Sequence, residues 1–203
     1  MPTVYTFGAD TMCPSPDNEA LFLSNTASDL KGKISDMSLS YTTGLDIGAA
    51  IGLKALSPDM KGHLKGDMQS KHPAAYTDET LKVLIIMTDG EATAQDRPYD
   101  GCSSIGKVWI STGYNSGYWK QCSYTKYSAS TARSNFADVC DVARDNGIAV
   151  FTIGFQVDKG ANSDKILNAC ATSSSQYYYI EDTDIATAFK SIAASINSVR
   201  LTM

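Results

Sequence analysis

The feature that most limits the possible folds is an uninterrupted aliphatic run at residues 83–87, Val-Leu-Ile-Ile-Met, which ends at Thr88, Asp89 and Gly90. The run is too short for a helix and far too short to span a membrane. Runs of this kind are typical of strands buried on both faces, as in a parallel sheet that is covered by helices. The sequence therefore predicts a central strand of an α/β domain at this position.

Asp89 follows the predicted strand directly, and this order places its carboxylate at the carboxyl edge of the sheet. In open α/β sheets, ligands bind at that edge. One interpretation is ordinary turn chemistry, because Asp can bond its own backbone and Gly90 can take a positive φ. The other interpretation is a metal-coordinating carboxylate, which needs support from elsewhere in the chain.

The rest of the chain alternates predicted strands and helices around this run. Residues 148–155 form a second apolar strand, which we expect to lie parallel and adjacent to residues 83–87, and residues 177–180 form a third. Strand and helix in regular alternation are typical of a doubly wound α/β fold with a mostly parallel sheet. Short strands are predicted at residues 4–7 and 20–23.

The predicted helices are recognised by apolar residues at helical spacing. Leu30, Ile34 and Met37 fall on one face of a first helix, and a second helix covers residues 45–56. A third is predicted to end at Asn146-Gly147, a fourth to begin with Ser163 as its cap, and a long final helix to follow residue 184.

The chain of 203 residues is long enough for one α/β domain, and no boundary divides it. Residues 92–131 are rich in Tyr, Ser and Gly and contain both tryptophans, Trp109 and Trp119. This segment, called the aromatic lobe below, is too long for an ordinary connection, and its aromatic residues predict an ordered insertion. We expect it to leave the sheet beside Asp89 and to shape partner recognition, although a self-packed structural insertion is the open alternative.

Five cysteines are present, and no C-x-x-C pair suggests a zinc site. Five in one domain indicate an oxidising compartment, with two disulfides and one thiol left over; reduced cysteines in a cytosolic protein are the alternative. The predicted bridges are Cys102–Cys122, which would close the aromatic lobe, and Cys140–Cys170. Cys13 would remain unpaired.

Composition also limits the possible functions. The net charge is −5 and no basic cluster is present, so the composition argues against nucleic acid as a partner. The first residues have neither a basic n-region nor an apolar h-region, and no segment is apolar over a membrane-spanning length. G-x-G-x-x-G, Walker A and G-x-S-x-G are all absent, and His63 and His72 lie in a polar segment without a neighbouring nucleophile. No catalytic residue is predicted.

Four segments resemble a von Willebrand factor A domain, most closely that of TadG-like assembly proteins of tight-adherence (Flp) pili. They are YTTGLDIGAAIGLKALSP, LIIMTDGEA, CDVARDNGIAVFTIGFQV and LNACATSSSQYYYIEDTDIATAFKSIAASINSVRLT. The resemblance implies a Rossmann-like, three-layer α/β sandwich with a metal-ion-dependent adhesion site at the carboxyl edge of its sheet. In that family a D-x-S-x-S loop, a Thr and an Asp hold Mg²⁺. By matching residues, Thr43 and Asp89 are the metal ligands here.

The D-x-S-x-S loop is where the sequence departs from the family. Asp36, Ser38 and Ser40 fit the pattern by letter, but a helix precedes them where the family has a strand. The departure implies a chain that begins inside the domain, after the first strand. We therefore expect an incomplete metal site, and a free backbone edge or an apolar groove beside residues 83–87.

The resemblance implies a non-catalytic binding and assembly module in surface adhesion or pilus biogenesis. Its partners would be proteins of the pilus or envelope, its location the periplasmic or extracellular side of the cell envelope, and any membrane anchor would lie upstream. An A-domain subunit of a metal-chelatase or chaperone-type complex is the alternative, and the five cysteines argue against that cytosolic role.

Overall fold

The computed structural model describes residues 4–5, 18–38, 43–66, 68, 70–77, 79–100, 102, 107–113, 116–182 and 184–200. Cys13, Leu39 and Ser40 lie outside these ranges. The helices are α1 (Ala27–Asp36), α2 (Leu45–Leu56), α3 (Ala129–Asp145), α4 (Asn162–Cys170) and α5 (Ile185–Arg200). The strands are β1 (Val4–Tyr5), β2 (Val83–Thr88), β3 (Gln95–Pro98), β4 (Lys107–Gly113), β5 (Ser116–Gln121), β6 (Ser123–Tyr127), β7 (Ala149–Phe155) and β8 (Tyr177–Ile180).

A three-stranded parallel sheet of order β2-β7-β8 carries the core. Val83 pairs with Ala149 and Thr88 with Gly154, so the predicted parallel pairing of the two apolar strands is confirmed. β8 pairs with the other side of β7, beginning at Thr152 and Tyr177. Among the described residues, no strand pairs with the outer side of β2.

Helices pack on both faces of this sheet. On one face, buried residues of α2, α3 and α4 surround Leu84, Ile86 and Val150. On the other face, Ala188 and Ile192 of α5 cover β7 and β8. The fold is therefore mixed α/β with a parallel sheet, an arrangement that is compatible with a Rossmann-like fold.

β2 is not buried on both faces, contrary to the prediction. Leu84, Ile86 and Thr88 are buried, but Ile85 is 39% exposed and Met87 is 50% exposed. The reason is its position: among the strands that the structure describes, β2 is at the edge of its sheet, and α5 packs over β7 and β8. β7, which has a strand on each side, is the strand with both faces buried.

Near the amino-terminal end, one prediction is confirmed and one needs correction. α1 forms as predicted, but none of its residues is buried, and its apolar stripe of Leu30, Ile34 and Met37 is exposed. Residues 20–23 do not form a strand, because Leu23 has a φ of 49°, which breaks the extended conformation.

The aromatic lobe is built from short antiparallel strands. β3 pairs with β6, while β4 pairs with both β1 and β5. The disulfide Cys102–Cys122 lies within the lobe, and Cys140–Cys170 joins α3 to α4, with Cα separations of 5.4 and 5.2 Å. Both predicted bridges are confirmed; Cys13 lies outside the described residues.

Candidate functional site

The turn after β2 sets the position of Asp89. The buried Thr88 hydroxyl accepts a hydrogen bond from the Gly90 amide and contacts the Gly90 carbonyl, both at 3.2 Å. Asp89 is exposed at the tip of this turn, and within the described parts of the chain its carboxylate makes no hydrogen bond or ion pair. Gly90 does not have a positive φ, so the turn depends on Thr88 and not on the Asp-Gly chemistry that the sequence suggested.

Thr43 is held beside this turn by three hydrogen bonds with Thr93. The Thr93 hydroxyl accepts a hydrogen bond from the Thr43 amide at 3.2 Å and donates to the Thr43 carbonyl at 3.1 Å. The Thr93 amide also donates to that carbonyl, at 3.2 Å. A Cβ on Gly90 would lie 3.7 Å from the Thr43 hydroxyl oxygen. The fold thus brings Thr43 and Asp89 together, whereas their role as metal ligands stays a prediction.

Thr43 and Asp89 lie at one end of a groove of about 450 Å³ between α2 and the free edge of β2. One wall is α2, where Gly52 approaches so closely that a Cβ would be 2.9 Å from the Leu84 Cδ1 atom. The groove lies beside residues 83–87, where the sequence analysis expected a free edge or an apolar groove. Its lining residues are Thr43, Gly44, Leu45, Gly48, Ala49, Gly52, Leu84, Ile85, Ile86, Met87, Thr88 and Asp89.

The described residues alone do not fit a bound Mg²⁺. Thr43 and Asp89 supply two oxygen ligands, whereas Mg²⁺ requires a near-octahedral shell and gives up its waters reluctantly. Among the residues that the structure describes, no group of three or more His, Cys, Asp or Glu could hold a metal ion. Asp36 is the exposed last residue of α1, and Ser38 exchanges backbone hydrogen bonds with the Asn18 side chain. Neither lines the groove, and Ser40 lies outside the described residues.

Glu91 is a site residue that the sequence analysis missed. Its Oε1 atom accepts hydrogen bonds from the amide and the hydroxyl of Ser163, both at 3.0 Å. Ser163 lies in the first turn of α4, whose N-cap is Ala161 and not Ser163 as predicted. A carboxylate at a helix N-terminus is favourable because it satisfies free amides and complements the helix dipole. Glu91 therefore fixes the loop after β2 to α4.

Asp164, next to this contact, is a buried carboxylate that accepts hydrogen bonds from three groups. Its Oδ1 atom accepts hydrogen bonds from the Tyr177 hydroxyl at 2.5 Å and from Lys159 at 3.3 Å, and its Oδ2 atom accepts one from the Gly160 amide at 2.8 Å. The bond from Tyr177, together with that from Gly160, lowers the pKa of Asp164. Burial and the same bond raise the pKa of Tyr177. The bond from Tyr177 holds α4 against β8, and the bonds from Gly160 and Lys159 fix the loop before α4, which indicates a structural role.

The aromatic lobe is anchored at the same edge of the sheet. Asp46, buried in the first turn of α2, accepts hydrogen bonds on Oδ2 from the Tyr127 hydroxyl at 2.6 Å and from Asn135 at 3.3 Å. Its Oδ1 atom is buried and has no hydrogen-bond partner among the described residues. Burial, and next the bond to Asp46, raise the pKa of Tyr127. Together with the hydrogen bonds between Thr43 and Thr93, these contacts hold the base of the lobe against α2.

Exposed aromatic rings cover the outer part of the lobe. Tyr118 is 54% exposed and Trp119 is 52% exposed. Trp119 makes an edge contact with Trp109, the ring centroids being 5.5 Å apart, and the Trp109 ring lies against Gly117. The ring of Tyr99 packs against Tyr124, both of which are also exposed. The sequence indicated aromatic content but not which rings would remain accessible.

Comparisons with known proteins give one structural likeness. No protein-family model matches the chain, and no curated protein matches it. Among solved structures, the pilus adhesin SpaC from Lactobacillus rhamnosus GG is similar with a TM-score of 0.46 and 16% sequence identity over 86% of this chain. The chain spans 21% of the length of that adhesin, and the score does not establish a shared fold. Within the described residues, no helix has the length and apolar character needed to cross a membrane.

Proposed function

We propose that this chain is a non-catalytic binding and assembly module with a von Willebrand factor A-like, Rossmann-type fold, acting on protein partners in surface adhesion or pilus biogenesis. The observation that carries the proposal is the aromatic lobe. It presents large exposed rings from a base that is fixed beside Thr43 and Asp89, at the sheet edge where ligands bind in α/β folds.

The lobe has the properties of a preorganised recognition surface. Tyr and Trp are the residues most often found at energetically dominant positions of protein interfaces. The Cys102–Cys122 bridge and the Asp46–Tyr127 hydrogen bond restrict the motion of the strands that carry the rings. A surface that is already ordered loses less conformational entropy on binding, so more of the contact energy contributes to affinity.

The two disulfides support a location in the cell envelope, on its periplasmic or extracellular side. Bridges of this kind persist in oxidising compartments and are rare in the cytosol. They argue against the alternative role as a subunit of a cytosolic chelatase or chaperone complex. The proposal does not depend on a bound metal, because Thr43 and Asp89 by themselves supply too few ligands for Mg²⁺.

The test compares adhesion and pilus assembly in source cells that carry matched variants of the protein. Trp119→Ser with Tyr118→Ser removes the two most exposed rings among the described residues of the lobe, and Phe189→Ser removes an exposed ring of α5. We expect the lobe variant to reduce adhesion or pilus number roughly tenfold, as the loss of an interface hot spot does, and the Phe189 variant to leave both unchanged. Protein level and circular dichroism confirm folding. Normal adhesion and piliation in cells lacking the whole gene would contradict the proposed function.

A further inference from the structure

The outer edge of β8 is a free strand edge at the far side of the parallel sheet. β8 pairs with β7 through residues 177–180, and among the described residues no strand pairs with its other side. The first strand that the family resemblance implies is expected beside β2, at the opposite end of the order β2-β7-β8, so it would not cover β8. A free edge presents backbone donors and acceptors that a strand of another protein can use.

A pocket of about 670 Å³ lies along this edge, between β8 and the first turns of α5. This volume is within the range of ligand sites, roughly 300–1,000 Å³. The residues of α5 that line the pocket are all small: Thr187, Ala188 and Ser191. Tyr178 and Ile180 of β8 pack on the side of α5, whereas Tyr177 packs on the opposite side of the sheet. An added strand would therefore meet apolar side chains on both faces and have room beside the helix.

The carboxyl end of the pocket is acidic. Glu181, Asp182 and Asp184 line it, and no Lys, Arg or His belongs to the described lining. Asp184 caps α5, since its carboxylate accepts hydrogen bonds from the amide and the hydroxyl of Thr187 at 3.2 and 2.6 Å. Asp182 accepts one from the Asp184 amide at 3.1 Å, and Glu181 accepts one from the Tyr179 hydroxyl. A carboxylate has about four acceptor positions, so Glu181 and Asp182 can each still bind a cation.

We propose that β8 binds an extended segment of a partner protein as an added strand, with basic residues of that segment at Glu181 and Asp182. The proposal rests on the proposed function, because it names the chemistry of a protein partner. It uses a different surface, the β8 edge, and not the exposed rings of the aromatic lobe. The carboxylates add specificity, since they repel an acidic strand and attract a basic one.

The given sequence has no other basic segment to place on this edge. None of the residues outside the described ranges is Lys or Arg, so none of them can supply a basic side chain. Lys159, which precedes α4, already forms an ion pair with Asp164 at 3.3 Å. The cation therefore has to come from another molecule.

A symmetric pair of β8 edges would not supply that cation either. An antiparallel pair would place Glu181 and Asp182 of one copy beside residues 173–176 of the other, Ser-Ser-Ser-Gln, which carry no charge. A parallel pair would bring the carboxylates of both copies together. Charge thus favours a different protein as the occupant.

The test uses fluorescence anisotropy with capped, labelled peptides of about eight residues that alternate Val and Thr. Two Lys residues stand at the carboxyl end of one peptide and at the amino end of another, because the first suits parallel and the second antiparallel addition. Ser191→Leu fills the pocket from α5. Ala193→Leu is the matched control, since Ala193 is also an exposed residue of α5 and does not line the pocket. Far-ultraviolet circular dichroism confirms the fold of each variant.

We expect one Lys peptide to bind with micromolar affinity, Ser191→Leu to weaken it at least about tenfold and Ala193→Leu to leave it unchanged. Glu181→Gln with Asp182→Asn should weaken that peptide about tenfold and leave its norleucine analogue unaffected, whereas Asp138→Asn on α3 should affect neither. Alternate amides of an added strand point toward β8. Methylation of one alternate set of peptide amides should therefore abolish binding, and methylation of the other set should not.

Absent binding of both Lys peptides would overturn the proposal, as would binding that Ser191→Leu leaves unchanged. Equal binding of the two methylated sets would show that no strand is added. Self-association in analytical ultracentrifugation that Ser191→Leu abolishes would also overturn the proposal, because a second copy would then be the occupant. Normal adhesion and piliation in cells with Ser191→Leu, together with their loss in the lobe variant, would refute the β8 edge and leave the proposed function standing.

Discussion

Asp164 is a nearly buried carboxylate whose charge is stabilised by local hydrogen bonds, of which the one from Tyr177 is the strongest influence on its pKa. The lowered pKa means that the folded state binds this proton less readily than the unfolded chain does. Asp164 therefore contributes stability above its unfolded pKa of about 3.9, and this contribution is lost as pH falls through the lower, folded value.

Tyr177→Phe should reduce the free energy of unfolding by about 1.5–3 kcal/mol at neutral pH, the usual contribution of a hydrogen bond to a charged group. Urea unfolding at a series of pH values measures the effect. The difference between wild type and variant should shrink as pH falls below about 3.9, because protonation of Asp164 removes the charge that Tyr177 stabilises. Tyr178→Phe, one residue away, should show no such pH-dependent difference. If Tyr177→Phe lowered the free energy of unfolding by the same amount at all pH values, the Tyr177 hydrogen bond would not be the cause of the lowered pKa of Asp164.

Asp89 provides a second test at the scale of single residues. Calorimetric titration of this chain with Mg²⁺ should show no saturable binding in the micromolar range, because Thr43 and Asp89 leave most of the octahedral shell to water. Micromolar binding that is lost in Asp89→Ala would show that the prediction of an incomplete site is wrong. Asp36, Ser38 and Ser40 would then be the first residues to substitute.

Chain order was enough to predict where Asp89 lies, since a residue that follows a parallel strand must lie at the carboxyl edge of the sheet. The proximity of Thr43 was expected from the resemblance to a known family and from its place after a loop element at that edge. The contact between Glu91 and Ser163 joins positions 72 residues apart, and neither residue belongs to a pattern that a sequence window can detect. Contacts of this kind depend on how the elements pack, which the local sequence does not specify.

Among the elements, the β4–β5 hairpin depends on a close fit between Gly117 and the Trp109 ring. A Cβ on Gly117 would lie 2.5 Å from the Ile110 carbonyl oxygen and from the Trp109 ring. Gly117→Ala should therefore destabilise the lobe by roughly 1–3 kcal/mol, as overpacking commonly does. Gly113→Ala in the same hairpin is the control, because an added Cβ there would have nothing within 4 Å. Near-ultraviolet circular dichroism and urea unfolding followed by tryptophan fluorescence would detect the change. Equal stability of the two variants would contradict a close fit between Gly117 and the Trp109 ring.

The sequence predicted a helix or strand correctly where its local signals were strong. It predicted burial wrongly where burial depends on the elements packed alongside. α2 occupies the predicted residues 45–56 because an apolar face is followed by Pro58. β2 was expected to be buried on both faces because its residues are apolar throughout, but its exposure is set by its edge position. The strands of the aromatic lobe were not located, because alternating Tyr, Ser and Gly residues give no clear hydrophobic period.

At the scale of the whole molecule, the two disulfides lie in different parts of the structure. Cys140–Cys170 joins α3 to α4 within the core on one face of the parallel sheet, and both of its residues are buried. Cys102–Cys122 lies within the aromatic lobe. The lobe contains both tryptophans of the chain, and its elements β3 to β6 are all strands. Tryptophan fluorescence therefore follows the lobe, while helical circular dichroism follows the body around the parallel sheet.

These two signals distinguish local from global stabilisation. Replacing Cys140 and Cys170 by Ala should destabilise the helical body by about 2–5 kcal/mol, since the bridge restricts the unfolded chain across a loop with a sequence separation of 30. The urea midpoint followed by circular dichroism should fall accordingly. Replacing Cys102 and Cys122 by Ala should lower the midpoint followed by fluorescence and leave the circular dichroism midpoint close to that of the wild type, because the lobe can then open while the core persists. Equal shifts of both midpoints in the second variant would show instead that lobe and body unfold as one cooperative unit, joined through the Thr43–Thr93 and Asp46–Tyr127 contacts.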